Sequence, residues 1–304
     1  MHKRLIVFIL CLLIISPHLT AEAKDKTMDV HFIDVGQADS ILIQTPRGKN
    51  LLIDAGDEQS SKELVEYLKV RNIKTLDALI ATHPHHDHIG GMSRIMNEFT
   101  VKAFYMPDLN HYTNAFRDLH KAVSKKGIMI FKAKAGDKIE VESGIKIKII
   151  APLRGHYDSL NDYSYVMKLI YKQTSFLLMA DAGEQSETAL LDRGVNVKAD
   201  IIKIGHHGAN TGTTLPFLKE VDPEAAVISV GNRNPYGYPS KVVINRLRYL
   251  KIPTYRTDLL GTIVAHSDGH YVSFTYGNEE LKNVMHKVSK KGTIDGTSKG
   301  QTKF

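Results

Sequence analysis

The chain has 304 residues, enough for one large α/β domain or two modest ones. It is 42% hydrophobic and 24% charged, with 22 glycines and 10 prolines, which excludes collagen, coiled coils, a wholly disordered chain and a disulfide scaffold. The 40 Lys and Arg residues against 33 Asp and Glu give a net charge of +7, an excess that permits anionic partners without requiring them.

The first 23 residues have the pattern of a secretory signal peptide. Lys3 and Arg4 precede the apolar run Leu5–Ile15, and residues 21–23 form a small-x-small cleavage site. The apolar run is too short to span a bilayer comfortably, although an uncleaved membrane tether is the alternative. We expect a secreted protein, extracellular or associated with the cell wall, without stable membrane insertion after cleavage. Its mature chain would keep 38 basic and 32 acidic residues, a net charge of +6.

Short apolar strands separated by turn residues begin at Met28. Strands are predicted at Val30–Val35, Ser40–Thr45, Asn50–Asp54, Ala78–His83, Val101–Met106, Ile145–Ala151, Tyr165–Tyr171, Phe176–Asp181, Ile201–His206, Ala226–Val230 and, as a hairpin, Thr262–Tyr276. Helical spacing predicts helices at Ser61–Val70, Ala115–Val123 and Pro239–Leu250. This order favours two sheets covered by helices on their outer faces. We expect one domain over residues 24–276 and a basic, disordered tail over residues 277–304.

The strongest chemical pattern directly follows the apolar strand that begins at Ala78. Four side chains that can bind metals occur within six positions there. His83 and His85 are two residues apart, so an extended backbone points both imidazoles to one side. Asp87 and His88 follow at the turn into a helix and can face a neighbouring point. Imidazole and carboxylate together suit zinc, manganese or iron, and two pairs favour two ions over a solvent-facing histidine cluster.

His-x-His-x-Asp-His followed by Gly-Gly, over residues 83–91, resembles the signature of the metallo-β-lactamase superfamily. Residues 32–40 and 51–56 are similar to the opening strands of that fold. Residues 202–208 and 234–240 resemble segments of the extracellular domain of the DNA-uptake competence proteins, the ComEC family, and of its soluble relatives. The resemblance covers about Met28 to Phe274. It implies an α/β fold, the four-layer αββα sandwich, and a two-metal hydrolase in which a water-derived nucleophile replaces a serine or cysteine.

The same resemblance assigns the metal ligands. They are His83, His85, Asp87, His88, Asp162, Asp181 and His206. Asp181, at the end of an apolar strand, matches the carboxylate that bridges both ions. Asp87 and His207 are the predicted catalytic residues, and Asp54 is expected to support the metal-binding loop through hydrogen bonds.

Two positions keep alternatives. The last histidine ligand is His206 or His207, and His206 is preferred because it follows its strand directly. Where many superfamily members have a further histidine, this chain has Asn161 and Asp162, of which Asp162 is preferred. An oxygen ligand there would tilt the preference from zinc towards manganese.

Asn210, Tyr238 and Ser240 are the predicted substrate-binding residues. Tyr238 stands where the competence proteins usually have a histidine, so its phenol would have to replace that group. Arg233, Lys241, Arg246 and Arg248 lie near this segment and are either phosphate contacts or a solvated helix face. No metal-ligand spacing links His111, His120, His156, His266 and His270, for which surface or core roles are expected.

These features favour a secreted phosphodiesterase or nuclease that uses two divalent ions, zinc or manganese, on extracellular DNA or another phosphodiester. The anionic partner would be DNA or teichoic acid. One alternative is an exported hydrolase of the same fold with another substrate, either a teichoic acid phosphocholine esterase or a β-lactamase-like enzyme. A non-enzymatic binding protein is the other alternative, and the intact ligand set argues against it.

Overall fold

The computed structural model describes residues 27–277 and the backbone of residues 286–288. The predicted signal peptide, residues 1–23, lies outside the described residues. The strands, in chain order, are β1 Met28–Phe32, β2 Ile41–Gln44, β3 Asn50–Ile53, β4 Thr75–Leu76, β5 Ala78–Ile80, β6 Thr100–Val101, β7 Phe104–Tyr105, β8 Ile130–Phe131, β9 Lys138–Ile139, β10 Ile145–Ala151, β11 Val166–Tyr171, β12 Thr174–Leu178, β13 Ile201–Lys203, β14 Ala225–Ile228, β15 Thr254–Arg256, β16 Ile263–Ser267, β17 Val272–Tyr276 and β18 His286–Val288.

The helices lie between the strands along the chain. The α-helices are α1 Ser61–Val70, α2 His86–Ile89, α3 Met92–Glu98, α4 Asn114–Lys126, α5 Glu184–Asp192, α6 Leu215–Val221, α7 Lys241–Tyr249 and α8 Thr257–Leu260, and two 3₁₀ helices cover Leu160–Tyr163 and Gly205–Gly208. Side-chain oxygens of Thr113, Thr214 and Ser240 accept a backbone N–H in the first turns of α4, α6 and α7, respectively, and so stabilise these starts.

Two large sheets form the centre of the protein. Sheet 1 has the order β18-β17-β16-β1-β2-β3-β5-β7-β8, and sheet 2 has the order β15-β14-β13-β12-β11-β10-β9. A separate pair joins β4 to β6. In sheet 1 the strands from β3 to β8 run parallel, and in sheet 2 the strands from β12 to β15 run parallel.

The alternation of side chains along the strands explains the layers. In β1, Val30 and Phe32 point into an apolar core that lies between the sheets, and Leu169 and Phe176 of sheet 2 meet them there. On the opposite face of sheet 1, Leu42 packs with the apolar sides of α1, α3 and α4. A third cluster lies between sheet 2 and α5, α6 and α7. The predicted four-layer αββα sandwich is therefore confirmed.

The topology brings five loops to one edge of the sandwich. Parallel strands end on the same side of a sheet, so the loops that follow β3, β5, β12, β13 and β14 all leave near that edge. Loops at the carboxyl ends of parallel strands are where α/β proteins place their ligand sites. All the predicted metal ligands lie on or beside this edge.

One strand prediction needs correction. The strand predicted at Val101–Met106 is divided, because β6 pairs with β4 whereas β7 pairs with β5 in sheet 1. Within residues 277–304, predicted to form a basic tail, the described backbone of β18 pairs antiparallel with β17. The other residues of that tail after 277 lie outside the described part of the chain.

Within the described ranges, the helices are all too short or too polar to cross a bilayer.

A fully buried lysine joins the two sheets near this edge. Nζ of Lys203, at the end of β13, donates to Oδ2 of Asp39, which precedes β2. Asp39 also fixes the backbone around it, since its amide donates to the carbonyl of Asp87 and its carbonyl accepts from Gly56. Removing the lysine would leave a buried carboxylate without its cation, and that is costly in a low dielectric.

We expect Lys203→Met to lower the free energy of unfolding of the metal-free protein by about 3–5 kcal/mol. Urea unfolding followed by circular dichroism measures the change. Lys69→Met is the matched control, because it breaks an exposed pair with Glu98 (Nζ to Oε2, 2.8 Å) and should change stability little. Equal effects of the two substitutions would show that the buried pair has no special role.

Candidate metal centre

The loop after β5 holds four of the candidate ligands. His83 and His88 are fully buried, whereas His85 and Asp87 are partly exposed. Nε2 of His83 lies 3.0 Å from Nδ1 of His85, so these two ring nitrogens face the same point. His85 has an extended backbone and immediately precedes α2, and the first turn of α2 then carries Asp87 and His88 towards a second point.

Asp181 lies between these two points, on the loop after β12. Its Oδ2 is 3.7 Å from Nε2 of His83, and its Oδ1 is 3.3 Å from Nε2 of His88. His207, on the loop after β13, completes the second group, with its Nε2 3.3 Å from Oδ2 of Asp87 and 3.9 Å from Oδ1 of Asp181. The ligand atoms therefore form two groups that share Asp181, namely His83, His85 and Asp181, and Asp87, His88, Asp181 and His207.

The electrostatics of this cluster fit a cation. Burial lowers the pKa of His88, but the carboxylates of Asp181, Asp54 and Asp87 outweigh it and raise that pKa well above its ordinary value. Burial likewise raises the pKa of Asp181, but His88 and His207 outweigh it and hold that pKa well below the usual range. A cluster that concentrates negative charge around buried imidazoles attracts positive charge.

Unsatisfied polar atoms support the same fit. Nε2 of His88 and Oδ1 of Asp181 are both buried, and neither makes a hydrogen bond within the part of the chain that is described. Buried polar atoms nearly always have a hydrogen-bond partner. Two buried polar atoms that lack one and face the same point therefore indicate a binding site for an ion. Imidazole nitrogen and carboxylate oxygen are the ligands that zinc, manganese and iron accept. The residues present therefore fit divalent metal ions.

Asp54 orients His88 through Nδ1, the ring nitrogen that does not face Asp181. Its Oδ2 is 2.7 Å from Nδ1 of His88, and its two oxygens accept from the amide and the hydroxyl of Thr82 at 2.9 and 2.7 Å. These contacts leave Nε2 of His88 free to face Asp181. The structure thus places Asp54 where the family resemblance assigned it, in hydrogen bonds to the metal-binding loop.

The preference for His206 over His207 is corrected. His207 is buried, and its Nδ1 lies 2.9 Å from the carbonyl of Ser229, which leaves Nε2 to face Asp87. His206 is partly exposed, with its Nε2 3.8 Å from Oδ2 of Asp181, and it belongs to neither ligand group. Both histidines have left-handed backbones (φ 47° and 53°), so the inward direction expected for a residue that extends a strand does not apply.

Asp162 also needs correction as a ligand. Its Oδ1 accepts from the amides of Gly183 and Ser186, at 2.9 and 3.0 Å, and so stabilises the first turn of α5. The neighbouring Asn161 faces the cluster instead, with its Nδ2 3.3 Å from Nδ1 of His206. Oδ1 of Asn161 is buried and has no hydrogen-bond partner among the described residues, which makes it the better candidate for a further oxygen ligand.

The predicted substrate-binding residues divide into different roles. Oγ of Ser240 accepts from the amide of Val243, so Ser240 caps α7, and its role as a substrate contact stays a prediction. Asn210 is exposed on the loop beyond the second 3₁₀ helix. Tyr238 lies at the rim, with its ring 5.6 Å from that of His206 and stacked on Tyr236 at 5.4 Å. Burial, and then the charge of Asp181, raises the pKa of the Tyr238 phenol, which therefore stays neutral.

Among the candidate phosphate contacts, Arg246 is held by the protein itself. Its guanidinium donates to the carbonyls of Gly212 and Thr213, both at 3.0 Å.

No role was predicted from the sequence for Lys203 or for Asp39. Oδ1 of Asp39 lies 3.5 Å from Nδ1 of His207, and its other oxygen bonds to Lys203. A lysine inside the apolar strand β13 was the available signal, because a buried lysine needs an anionic partner. His111 was expected to have only a surface or core role, but its ring lies 5.7 Å from that of His85.

We expect His207→Asn and His206→Asn to separate the two histidines. Asparagine tolerates the left-handed backbone of both positions but is too short to replace Nε2. Titration with manganese or zinc by calorimetry should show a loss of affinity for His207→Asn that exceeds the 10–100-fold typical of an outer partner. His206→Asn should bind metal nearly as the parent does, and the opposite order would restore His206 as the ligand.

Comparison with known proteins shows which families this chain resembles. ComE operon protein 3 of Bacillus subtilis (strain 168) is 30% identical over 275 residues, which cover 84% of this chain and 34% of that protein. The chain spans about a third of the length of this and the other competence-related relatives it matches. A hydroxyacylglutathione hydrolase of Vibrio campbellii (strain ATCC BAA-1116) is 40% identical over 230 residues, which cover 72% of this chain and 76% of that protein.

Among solved structures, CmlA, a diiron beta-hydroxylase from Streptomyces venezuelae, matches with a TM-score of 0.51 at 14% identity, over 76% of this chain and 53% of that one. At that identity the match shows a shared fold only. The family model of the Metallo-beta-lactamase superfamily matches residues 33–232, which include the ligands from His83 to His207. Membership implies a metal-dependent hydrolase, and the resemblance noted in the sequence is confirmed. The chain belongs to the metallo-beta-lactamase superfamily.

Proposed function

We propose that the protein is an exported phosphodiesterase that binds two divalent metal ions, manganese or zinc, and hydrolyses nucleic acid or a similar phosphodiester. The carboxylate of Asp181 carries this proposal, because its two oxygens face two separate groups of imidazoles. One ion would be held by His83 and His85 and the other by Asp87, His88 and His207, with Asp181 common to both.

When bound, two such ions would supply Lewis-acid activation of the attacked group and would lower the pKa of the attacking water. The residues of the chain fix the geometry. Asp54 orients His88 through its Nδ1, and the carbonyl of Ser229 orients His207 through its Nδ1. Orienting partners of this kind set the tautomer of each imidazole, so that Nε2 carries the lone pair that faces the site.

Substrate groups would meet the open rim beside His206 and Tyr238. Burial lowers the pKa of His206, which is therefore neutral near pH 7. The neutral Tyr238 phenol can donate a hydrogen bond to a phosphate oxygen, where the competence proteins usually have a histidine. Two donors at the rim of a positively charged metal site suit an anionic group.

The relatives and the charge support the phosphodiester. Three competence-related proteins align over 75% or more of this chain, and DNA is the substrate that this resemblance suggests. Without residues 1–23 the chain would have a net charge of +6, which favours a polyanion through counterion release. Export is part of the proposal and rests on the sequence of those 23 residues.

A thioesterase is the second candidate, because the Vibrio campbellii relative is named for hydrolysis of hydroxyacylglutathione and covers 72% of this chain. The same metal centre would serve either reaction. The difference lies at the rim, where Tyr238 and His206 would have to accommodate a neutral thioester in place of a phosphate.

A parallel assay should distinguish these substrates. We expect the purified protein with manganese or zinc to hydrolyse single-stranded DNA and bis-p-nitrophenyl phosphate, and to act at least 100-fold more slowly on S-lactoylglutathione, p-nitrophenyl phosphocholine and nitrocefin. A difference of that size corresponds to about 2.7 kcal/mol in the activation free energy. Because p-nitrophenyl phosphocholine is itself a phosphodiester, preference for it would narrow the substrate to phosphocholine diesters. Preference for S-lactoylglutathione or nitrocefin would replace the phosphodiester with a thioester or a lactam.

The two-metal arrangement is tested with three variants. Asp181→Ala removes a ligand from both groups, so we expect kcat to fall by a factor of about 10³ or more. Elemental analysis should find two ions per chain in the parent protein and fewer in this variant. Asp54→Ala should lose about 10–100-fold in affinity or activity and regain most activity in excess metal. His270→Ala, at an exposed position outside the cluster, is the control and should match the parent. A folded Asp181→Ala variant with near full activity would contradict the bridging role.

A further inference from the structure

A groove of about 830 Å³ lies beside α4, outside the metal cluster. Its lining includes His111, Phe116, Arg117, His120, Lys121 and Lys125. None of the residues that line it is acidic, and Asp118 on the neighbouring side of α4 is the carboxylate that pairs with Lys121 (3.1 Å). Because both side chains of this ion pair are exposed, the pair stabilises the protein little, and Lys121 can leave Asp118 to bind an anionic ligand.

The cations of the groove form one row. Arg117, Lys121 and Lys125 are each four residues apart, so they share one face of α4 and follow one another at intervals of about 6 Å. All three side chains are exposed. Arg117 is held in place, since its guanidinium donates to the carbonyl of Tyr112 at 3.1 Å. A single row of cations matches a single chain of regularly spaced negative charges.

One end of the groove reaches the metal cluster. The ring of His111, which lines the groove, lies 5.7 Å from the ring of His85. A chain lying along α4 therefore passes His111 and comes close to His85, the partly exposed ligand of the first group. The groove continues the proposed active site and is not a separate surface.

Aromatic side chains accompany the cations. Phe116 lines the groove, and Tyr112, next to His111, is 90% exposed. Proteins that bind single-stranded nucleic acids combine a basic groove for the backbone with aromatic rings on which bases stack. An anionic polymer without bases would use the cations but would gain little from an exposed tyrosine at this end.

We propose that this groove binds a single strand of nucleic acid, with successive phosphates on Arg117, Lys121 and Lys125 and a base on Tyr112, and leads it to the metal centre. The inference rests on the proposed phosphodiesterase function and adds that the substrate is a polymeric single strand. A double helix would present two phosphate chains, whereas the groove offers one row of cations.

The triple variant Arg117→Gln/Lys121→Gln/Lys125→Gln tests the row of cations. With manganese present, we expect kcat/KM for a twelve-nucleotide oligothymidylate to fall at least 10-fold, and kcat/KM for bis-p-nitrophenyl phosphate to stay within twofold of the parent. The matched control Lys62→Gln/Lys69→Gln/Lys74→Gln removes the same charge from exposed positions outside the groove and should leave both values unchanged. The double variant Lys121→Gln/Lys125→Gln keeps the Arg117 contact to Tyr112 and guards against a folding defect.

Binding gives a readout that does not depend on hydrolysis. The binding constant of a labelled phosphorothioate twelve-mer can be measured by fluorescence anisotropy at several salt concentrations. Each phosphate contact to a single strand contributes about 0.7 to the slope of log binding constant against log salt concentration, so the loss of three contacts in the triple variant should reduce that slope by about 2. Tyr112→Ala should weaken oligonucleotide binding about 5- to 150-fold and leave inorganic polyphosphate binding unchanged.

The outcomes separate the two proposals. If bis-p-nitrophenyl phosphate is not hydrolysed, the proposed function fails, and the binding measurements still test the groove. If the triple variant and its control behave alike towards the oligonucleotide, the groove is not its binding site. If Tyr112→Ala weakens polyphosphate equally, or teichoic acid binds more tightly than the oligonucleotide, the groove is specific for another polyanion and the assignment to nucleic acid is overturned.

Discussion

One buried carboxylate, that of Asp181, is the interaction on which the site depends. It comes from a loop of sheet 2, and its two oxygens face His83 and His88 from a loop of sheet 1. An isolated buried charge is costly, and here His88 and His207 offset that cost, since they hold the pKa of Asp181 well below its usual range. The nearby pair of Asp39 and Lys203 crosses between the same two sheets in the same way. The apolar core holds the centre of the sandwich together, and buried charge pairs align its edge.

The backbone around this carboxylate is under local strain. Asp54, Ala180, His206 and His207 all have positive φ values, between 47° and 57°. Such conformations cost free energy for residues with a Cβ and persist where the surroundings determine them, typically at functional sites. Here the surroundings are visible, because the carbonyl of Ala180 accepts from the amide of His206 at 2.9 Å and from Nζ of Lys203 at 3.4 Å. The loops that carry the ligands therefore fix one another.

These contacts explain what the sequence could predict. The motif from His83 to His88 is local, so its spacing alone placed four ligands in two groups. The spacing of His206 and His207 could not show which of them is the ligand. Both residues have a left-handed backbone, and that conformation decides which ring points inward. Asn161 and Asp162 are adjacent in one 3₁₀ turn. Only the position of α5 shows that the carboxylate of Asp162 caps that helix, whereas the amide of Asn161 faces the cluster. A lysine in β13 indicated a buried partner, but the distant Asp39 could be identified only in three dimensions.

Charge balance connects the metal centre to the choice of substrate. The ligand groups contain two carboxylates, from Asp87 and Asp181, and Asp54 adds a third behind His88. The proposed pair of divalent ions would bring four positive charges, and the pair of Asp39 and Lys203 is neutral in sum. Against three carboxylates, such a centre would carry a net charge of about +1 with a neutral water and about zero once that water has lost its proton. The three carboxylates therefore leave no excess negative charge that would repel an anionic group, and the ligand set is compatible with the anionic substrate that we propose.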